Sequence, residues 1–122
     1  NMAMLLITHD LGVVAESTHR MSIMYAGIIV EEGTTVAVFK APAHPYTFGL
    51  IESVPRLDKK QERLTVIKGT VPDPANLPPG CPFNPRCSLA DDRCRSECPD
   101  IESVGPNHSA RCFHSDKVLG WK

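Results

Sequence analysis

Five cysteines, Cys81, Cys87, Cys94, Cys98 and Cys112, crowd the last third of a 122-residue chain whose first eighty residues contain none. Gaps of five, six and seventeen residues separate Cys81, Cys87, Cys94 and Cys112. The first pair frames Gly80-Cys81-Pro82-Phe83-Asn84-Pro85-Arg86-Cys87, where prolines and a glycine exclude a helix interior or a central strand. A rigid loop that presents thiols suits a metal ion or a cluster. In a reducing cytosol clustered cysteines serve more often as metal ligands than as disulfides, and an odd count leaves one thiol outside any full pairing. Whatever core the rest of the chain builds must therefore carry an irregular, thiol-bearing segment on its flank.

That core is to be sought before residue 56. Ala3 to Thr8 is a continuous apolar run ending in His9-Asp10, the pattern of a strand buried on both faces of a parallel sheet. It opens at Asn1-Met2 without cap or turn, as though cut from something longer. Asp10 caps a helix over Leu11 to Thr18. Arg20 to Tyr25 and Ile28 to Glu32, flanking Ala26-Gly27, predict a β-hairpin that Gly33 ends. Thr34 caps a brief helix through Phe39, and Ala41-Pro42 stops it. His44-Pro45 opens a further helix to Val54, with proline in its first turn.

Beyond it, Arg56 to Glu62 reads as a charged connector and Leu64 to Lys68 as a strand. Prolines at 72, 74, 78 and 79 then enforce extended backbone. The expectation is an α/β chain in two units, residues 1–55 and an irregular cysteine-rich extension over 56–122. Within the extension only a turn of helix is expected, at Leu89 to Arg95. The tail from Phe113, with the single tryptophan, either docks or frays. Met2, Met4, Met21 and Met24 are spaced for packing in strands.

Charge excludes some partners. Thirteen basic against fourteen acidic residues leave a net charge of -1, no electrostatic footprint for nucleic acid or an anionic membrane. No apolar run approaches the ~20 residues of a membrane span, and the opening lacks a signal-peptide pattern. A soluble, cytoplasmic chain is expected.

His9 follows an expected strand at the position where open α/β sheets bind ligands, within reach of a phosphate. For the cysteines, structural zinc favours ligand pairs two to four residues apart, and the spacing also differs from the common ferredoxin runs. A cluster, zinc, disulfides and free thiols all stay open on spacing. Cys98 lies one helical turn beyond Cys94 and is an alternative ligand or disulfide partner. His108 reads as a hydrogen bond fixing its loop rather than as a ligand. His114 has no motif support, and His19 is expected on a solvated helix end. Arg86, between two cysteines, offsets cluster charge, bonds loop carbonyls or is simply exposed.

Leu6-Ile7-Thr8-His9-Asp10-Leu11, Met24-Tyr25-Ala26-Gly27 and Ile29-Val30-Glu31-Glu32-Gly33 resemble the switch-histidine region of ABC-transporter ATPases. His44-Pro45-Tyr46-Thr47, then Gly80-Cys81-Pro82-Phe83, Pro85-Arg86-Cys87, Cys94, Gly105-Pro106 and Cys112, narrow the likeness. They resemble the carboxyl-terminal extension of ATP-binding subunits of dipeptide and oligopeptide importers. The resemblance implies the end of a P-loop ATPase domain, with His9 contacting the γ-phosphate of ATP held with Mg2+. It implies that Cys81, Cys87, Cys94 and Cys112 bind a [4Fe-4S] cluster. Transmembrane permease subunits and a second ATPase subunit are the implied partners, at the cytoplasmic face of the membrane.

The phosphate loop, signature motif and catalytic acidic pair of that family are absent from these 122 residues. A carboxyl-terminal fragment is therefore expected, inactive alone, and prone to self-associate through an exposed sheet edge. The competing expectation is a freestanding metal- or cluster-binding module with a redox or interaction role.

Overall fold

The computed structural model describes residues 1–55 and 66–121. Its centre is the expected hairpin. β1 (Arg20–Tyr25) alternates outward and inward residues along its whole length, burying Met21, Ile23 and Tyr25. It pairs antiparallel with β2 (Ile28–Thr34), and a bulge between Ile23 and Met24 shifts the register. Ala26 and Gly27 join the strands at φ of 48° and 83°, the paired left-handed conformation of a type I′ turn.

The helices follow their caps. Asp10 accepts the amides of Gly12 and Val13 at 2.9 and 3.1 Å and starts α1 (Leu11–Ser17). Thr34 accepts from Ala37 and starts α2 (Thr35–Lys40), whose Val38 is fully buried against the hairpin. α3 (Pro45–Glu52) begins with His44 as cap and Pro45 in its first turn, two residues shorter at its end than expected.

The sheet does not end with the hairpin. Two short strands, β3 (Glu102–Gly105) and β4 (His108–Ala110), form a second antiparallel pair, and β4 docks on β2. The resulting order is β1-β2-β4-β3. Strands from both sides of the 56–65 stretch thus share one antiparallel sheet within an α/β chain. Between Cys87 and Cys98 lies α4 (Asp92–Ser96), one residue beyond the expected Leu89–Arg95 turn at its end and three later at its start. The tail docks: α5 (Ser115–Leu119) buries Val118, and Trp121 packs edge-on to Phe48 at 5.0 Å.

Some expectations fail. Ala3 to Thr8 is not a strand; no strand among the described residues pairs with it, and Leu5 and Ile7 stand about nine-tenths exposed. A continuous apolar run is buried only where neighbours cover both its faces, and none of the described elements does so. Met2, Met4 and Met24 are likewise exposed, Met24 because β1 alternation turns it outward; only Met21 joins the core. The expected strand at Leu64 to Lys68 falls partly outside the described residues, and Val66 to Lys68 carries no strand.

Candidate metal centre

Phe83 fixes where the cysteine loop sits. Its ring is buried among Tyr25, Tyr46 and His44, with centroids 5.2, 5.5 and 5.7 Å away, so the loop between Cys81 and Cys87 is pinned into the hairpin core. Burying an aromatic side chain and pairing it edge-on are both favourable. Arg86 holds the other side. Its guanidinium donates to the carbonyls of Ile67 and Lys68 and to the Tyr25 hydroxyl. Of the roles open to Arg86, carbonyl bonding is seen, but to Ile67 and Lys68 rather than within the cysteine loop.

The thiols are set out by short-range bonds. Gly80 adopts φ of +75°, and a Cβ there would collide with the carbonyl of Cys94. That close approach lets the Cys81 amide donate to the Cys94 carbonyl at 2.9 Å. Asn84 Nδ2 donates to the carbonyls of Pro79 and Cys81, closing the loop, and a 3-10 turn over Asn84–Arg86 delivers Cys87. Cys94 sits in α4, whose cap Asp91 accepts its amide at 2.9 Å. Cys112 follows β4, where the Arg111 amide bonds the Val30 carbonyl and its guanidinium bonds the carbonyls of Ile29 and Pro99.

Cys81, Cys87, Cys94 and Cys112 all line one cavity, together with His44, Phe83 and His114. Cys98 is exposed and does not line it, although its thiol lies near enough to Cys81 to raise that group's pKa. Burial pushes Cys81 up to about 11 and Cys112 up to about 12, and raises Cys87 and Cys94 as well. Neighbouring thiols add to the shifts of Cys81, Cys87 and Cys112, and the Asp91 carboxylate adds to that of Cys94. The four are therefore neutral at pH 7 in the empty cavity. A cation is what turns such thiols into thiolates, so metal uptake releases protons.

Asp91 and His114 form the rim. Asp91 is exposed, yet the Cys94 amide, followed by other bonds including one from His114, holds its carboxyl down at about 2. His114 Nε2 lies 2.8 Å from Asp91 Oδ2, and the His114 amide donates to Cys112 Sγ at 3.4 Å. Ligand atoms of Asp91, Cys94 and His114 lie within 4.8 Å of one another. His114 was without motif support in the sequence; its Cys-X-His spacing from Cys112 was the available signal.

Behind the cavity is a buried carboxylate. Glu31, fully buried on β2, accepts the Ala43 amide at Oε1 (2.8 Å) and the His44 amide at Oε2 (2.9 Å). His108 Nε2 donates to Oε1 at 2.7 Å. His108 thus makes a fixing hydrogen bond, as expected, and does not line the cavity. Glu31 was missed because a glutamate at the end of a strand reads as solvent-facing.

His9 stands exposed between the extended opening segment and the Asp10 cap, apart from the cysteine cavity. No helix among the described residues is long and apolar enough to cross a membrane.

The family model described as "Oligopeptide/dipeptide transporter, C-terminal region" matches residues 30–94, from β2 to Cys94. The chain belongs to this family. The oligopeptide transport ATP-binding protein AppD of Bacillus subtilis is 48% identical over 93% of the chain and 34% of its own length. The dipeptide transport ATP-binding protein DppD of Escherichia coli is 45% identical over 93% of the chain and 35% of its length. A peptide import ATP-binding protein of Brucella ovis is 47% identical over 96% of the chain and 36% of its length. The chain thus spans about a third of these curated relatives.

The donor chemistry fits a thiolate-held group: four thiols in one apolar cavity, capped and hydrogen-bonded from outside. The cavity itself measures only about 10 Å³, room for roughly one water. Among the described residues the only three ligand atoms within 4.8 Å of one another are those of Asp91, Cys94 and His114, so no three of the four thiols stand that close together.

Proposed function

We propose that this chain is the carboxyl-terminal part of the ATP-binding subunit of a peptide importer, and that its four cavity cysteines hold a [4Fe-4S] cluster. The observation that carries the first half is family membership together with relatives named for ATP-binding in peptide transport. In this reading the full-length subunit hydrolyses Mg-ATP at the cytoplasmic face, paired with a second ATPase subunit and docked on transmembrane permeases. Peptide uptake is the process it drives. The apolar stretch Met2 to Ile7, exposed here, then slots between strands of the remaining domain. His9 contacts the γ-phosphate. Replacing His9 by alanine in the full-length protein lowers ATP-driven uptake at least tenfold, and unchanged uptake would refute the role. The 122-residue chain alone has no ATPase activity and self-associates through the uncovered segment; turnover above a His9→Ala control, or a strictly monomeric species in light scattering, would count against this.

Cys81, Cys87, Cys94 and Cys112 supply the four thiolates that complete the usual coordination of such a cluster. Bound there, the cluster would supply a covalent cross-link and a one-electron redox centre. It would join the Cys81–Cys87 loop, α4 and the strand end after β4, and metal binding contributes to folding. Iron, acid-labile sulfide and zinc measured on anaerobically purified full-length protein test the assignment. About four irons and four sulfides per chain, lost in Cys81→Ser, support it. The Asp91, Cys94 and His114 group, with ligand atoms within 4.8 Å of one another, supports a second reading, one zinc ion at this end of the cavity, which stoichiometric zinc without sulfide would establish.

A further inference from the structure

Two imidazoles line the cysteine cavity, and their hydrogen bonds leave them with opposite spare atoms. His114 Nε2 meets the Asp91 carboxylate at 2.8 Å, so that nitrogen carries a proton and Nδ1 keeps the lone pair in the neutral ring. His44 is the reverse. Its Nδ1 accepts the Tyr46 amide at 3.1 Å, which places the proton of a neutral ring on Nε2. Burial keeps that ring neutral, pushing its pKa down to about 3.

His44 is 1% exposed, its ring is held against Phe83 and its amide is gripped by Glu31. Among the described residues no hydrogen bond from its Nε2 is seen, yet it is not a sealed orphan: Thr47 Oγ1 is the one buried side-chain polar atom there without a partner, and the His44 ring lines the cavity. Its neighbours around the cavity are the four thiols, weak acceptors while protonated and strong, anionic ones once a metal displaces their protons. With a metal bound, a sulfur of the site can accept from this donor.

We infer that His44 is a positioning residue that donates its Nε2–H to a sulfur of the occupied cysteine site. The inference rests on the reading that the cavity cysteines bind metal. Its first consequence is electrostatic, since a hydrogen bond to sulfur offsets the negative charge of the thiolate assembly and favours its reduced form. The second is mechanical. His44 caps α3 through its ring and bonds β2 through its amide, so occupancy of the site is transmitted to both elements by a single side chain.

A cap-only role and a donor role come apart in two variants. His44→Asn keeps a good helix cap but has too short an amide to replace Nε2, whereas His44→Gln keeps a donor of longer reach and is the poorer cap. The full-length protein and both variants are purified anaerobically, and iron, sulfide and zinc are counted first. With iron bound, the midpoint potential is titrated. His44→Asn is expected to disfavour the reduced state about tenfold, a shift of about 59 mV to more negative potential for one electron, with His44→Gln shifted less. With zinc alone the cluster reading fails while His44 is still tested, by zinc transfer to a chromophoric chelator. Release about tenfold faster in His44→Asn than in wild type is then expected. A His44→Asn protein within twofold of wild type, or a larger defect in His44→Gln than in His44→Asn, overturns the inference. Wild-type protein that binds neither metal overturns both readings.

Discussion

Glu31→Gln is a one-atom test of how the site is anchored. Three donors converge on the two oxygens of Glu31: the Ala43 amide and His108 Nε2 on Oε1, and the His44 amide on Oε2. Glutamine has one oxygen. If it faces Ala43 and His108, its NH2 group meets the His44 amide, donor against donor, where a 2.9 Å bond stood. Losing one bond to a charged acceptor costs about 1.5–3 kcal/mol, and the two retained bonds fall to the weaker neutral class. The total is about 3 kcal/mol of local destabilisation, or about a hundredfold in an opening equilibrium. Hydrogen exchange of the full-length protein, read by mass spectrometry on the peptide spanning Ala41 to Tyr46, measures that opening without requiring two-state unfolding. The amides of Ala43 and His44 should exchange about a hundredfold faster in Glu31→Gln. Glu32→Gln, one residue along and outside this network, should leave them unchanged. Protection within threefold of wild type in Glu31→Gln would show that the three bonds do not anchor the α3 entrance.

Other outcomes follow from the same geometry. Gly80→Ala forces a side chain onto φ of +75°, a strain of about 1–3 kcal/mol, and drives its Cβ into the Cys94 carbonyl. The purified variant should lose most of its metal, and a full complement would show that the loop tolerates the shift. Cys98→Ser should retain metal that Cys94→Ser loses, because Cys98 does not line the cavity; equal losses would bring Cys98 into the ligand set. In metal-free protein the thiols are pushed above their ordinary value of 9.0, Cys81 to about 11 and Cys112 to about 12. Only the unfolded chain ionises them between those values, so stability holds below pH 9 and falls from there toward pH 12. Thermal melts across that range should decline more steeply than those of a Cys81→Ser, Cys112→Ser double variant.

Local chemistry made much of this legible from sequence. Asp10, Thr34 and His44-Pro45 each start a helix where their side chains cap one, and Ala26-Gly27 closes the hairpin, because these signals act within a few residues. Resemblance set Cys81, Cys87, Cys94 and Cys112 apart from Cys98; those four line the cavity, and Cys98 is exposed beside Cys81. What escaped depends on distant partners. β3 and β4 are four and three residues long, too short for a periodic signal, and exist because β2 offers a free edge. Glu31 and His108 lie 77 residues apart. Ala3 to Thr8 shows the converse error: an apolar run states a need for cover, and only tertiary context says whether the chain at hand meets it.

Whether the cysteine segment could act as a freestanding module is answered by counting what it would leave behind. Its β4 has no neighbour on one side without β2, and Arg111 would lose its bonds to the carbonyls of Ile29 and Val30. His108 would lose its only hydrogen-bonded carboxylate among the described residues, and Phe83 would lose Tyr25, Tyr46 and His44 together. His44, one of the groups lining the cavity, comes from the other side of the 56–65 stretch. A site whose wall, sheet edge and anchoring carboxylate all belong to the hairpin and α3 is built onto them. The thiols therefore close over the hairpin surface, and if they bind metal as proposed, His44 would carry that occupancy to the entrance of α3.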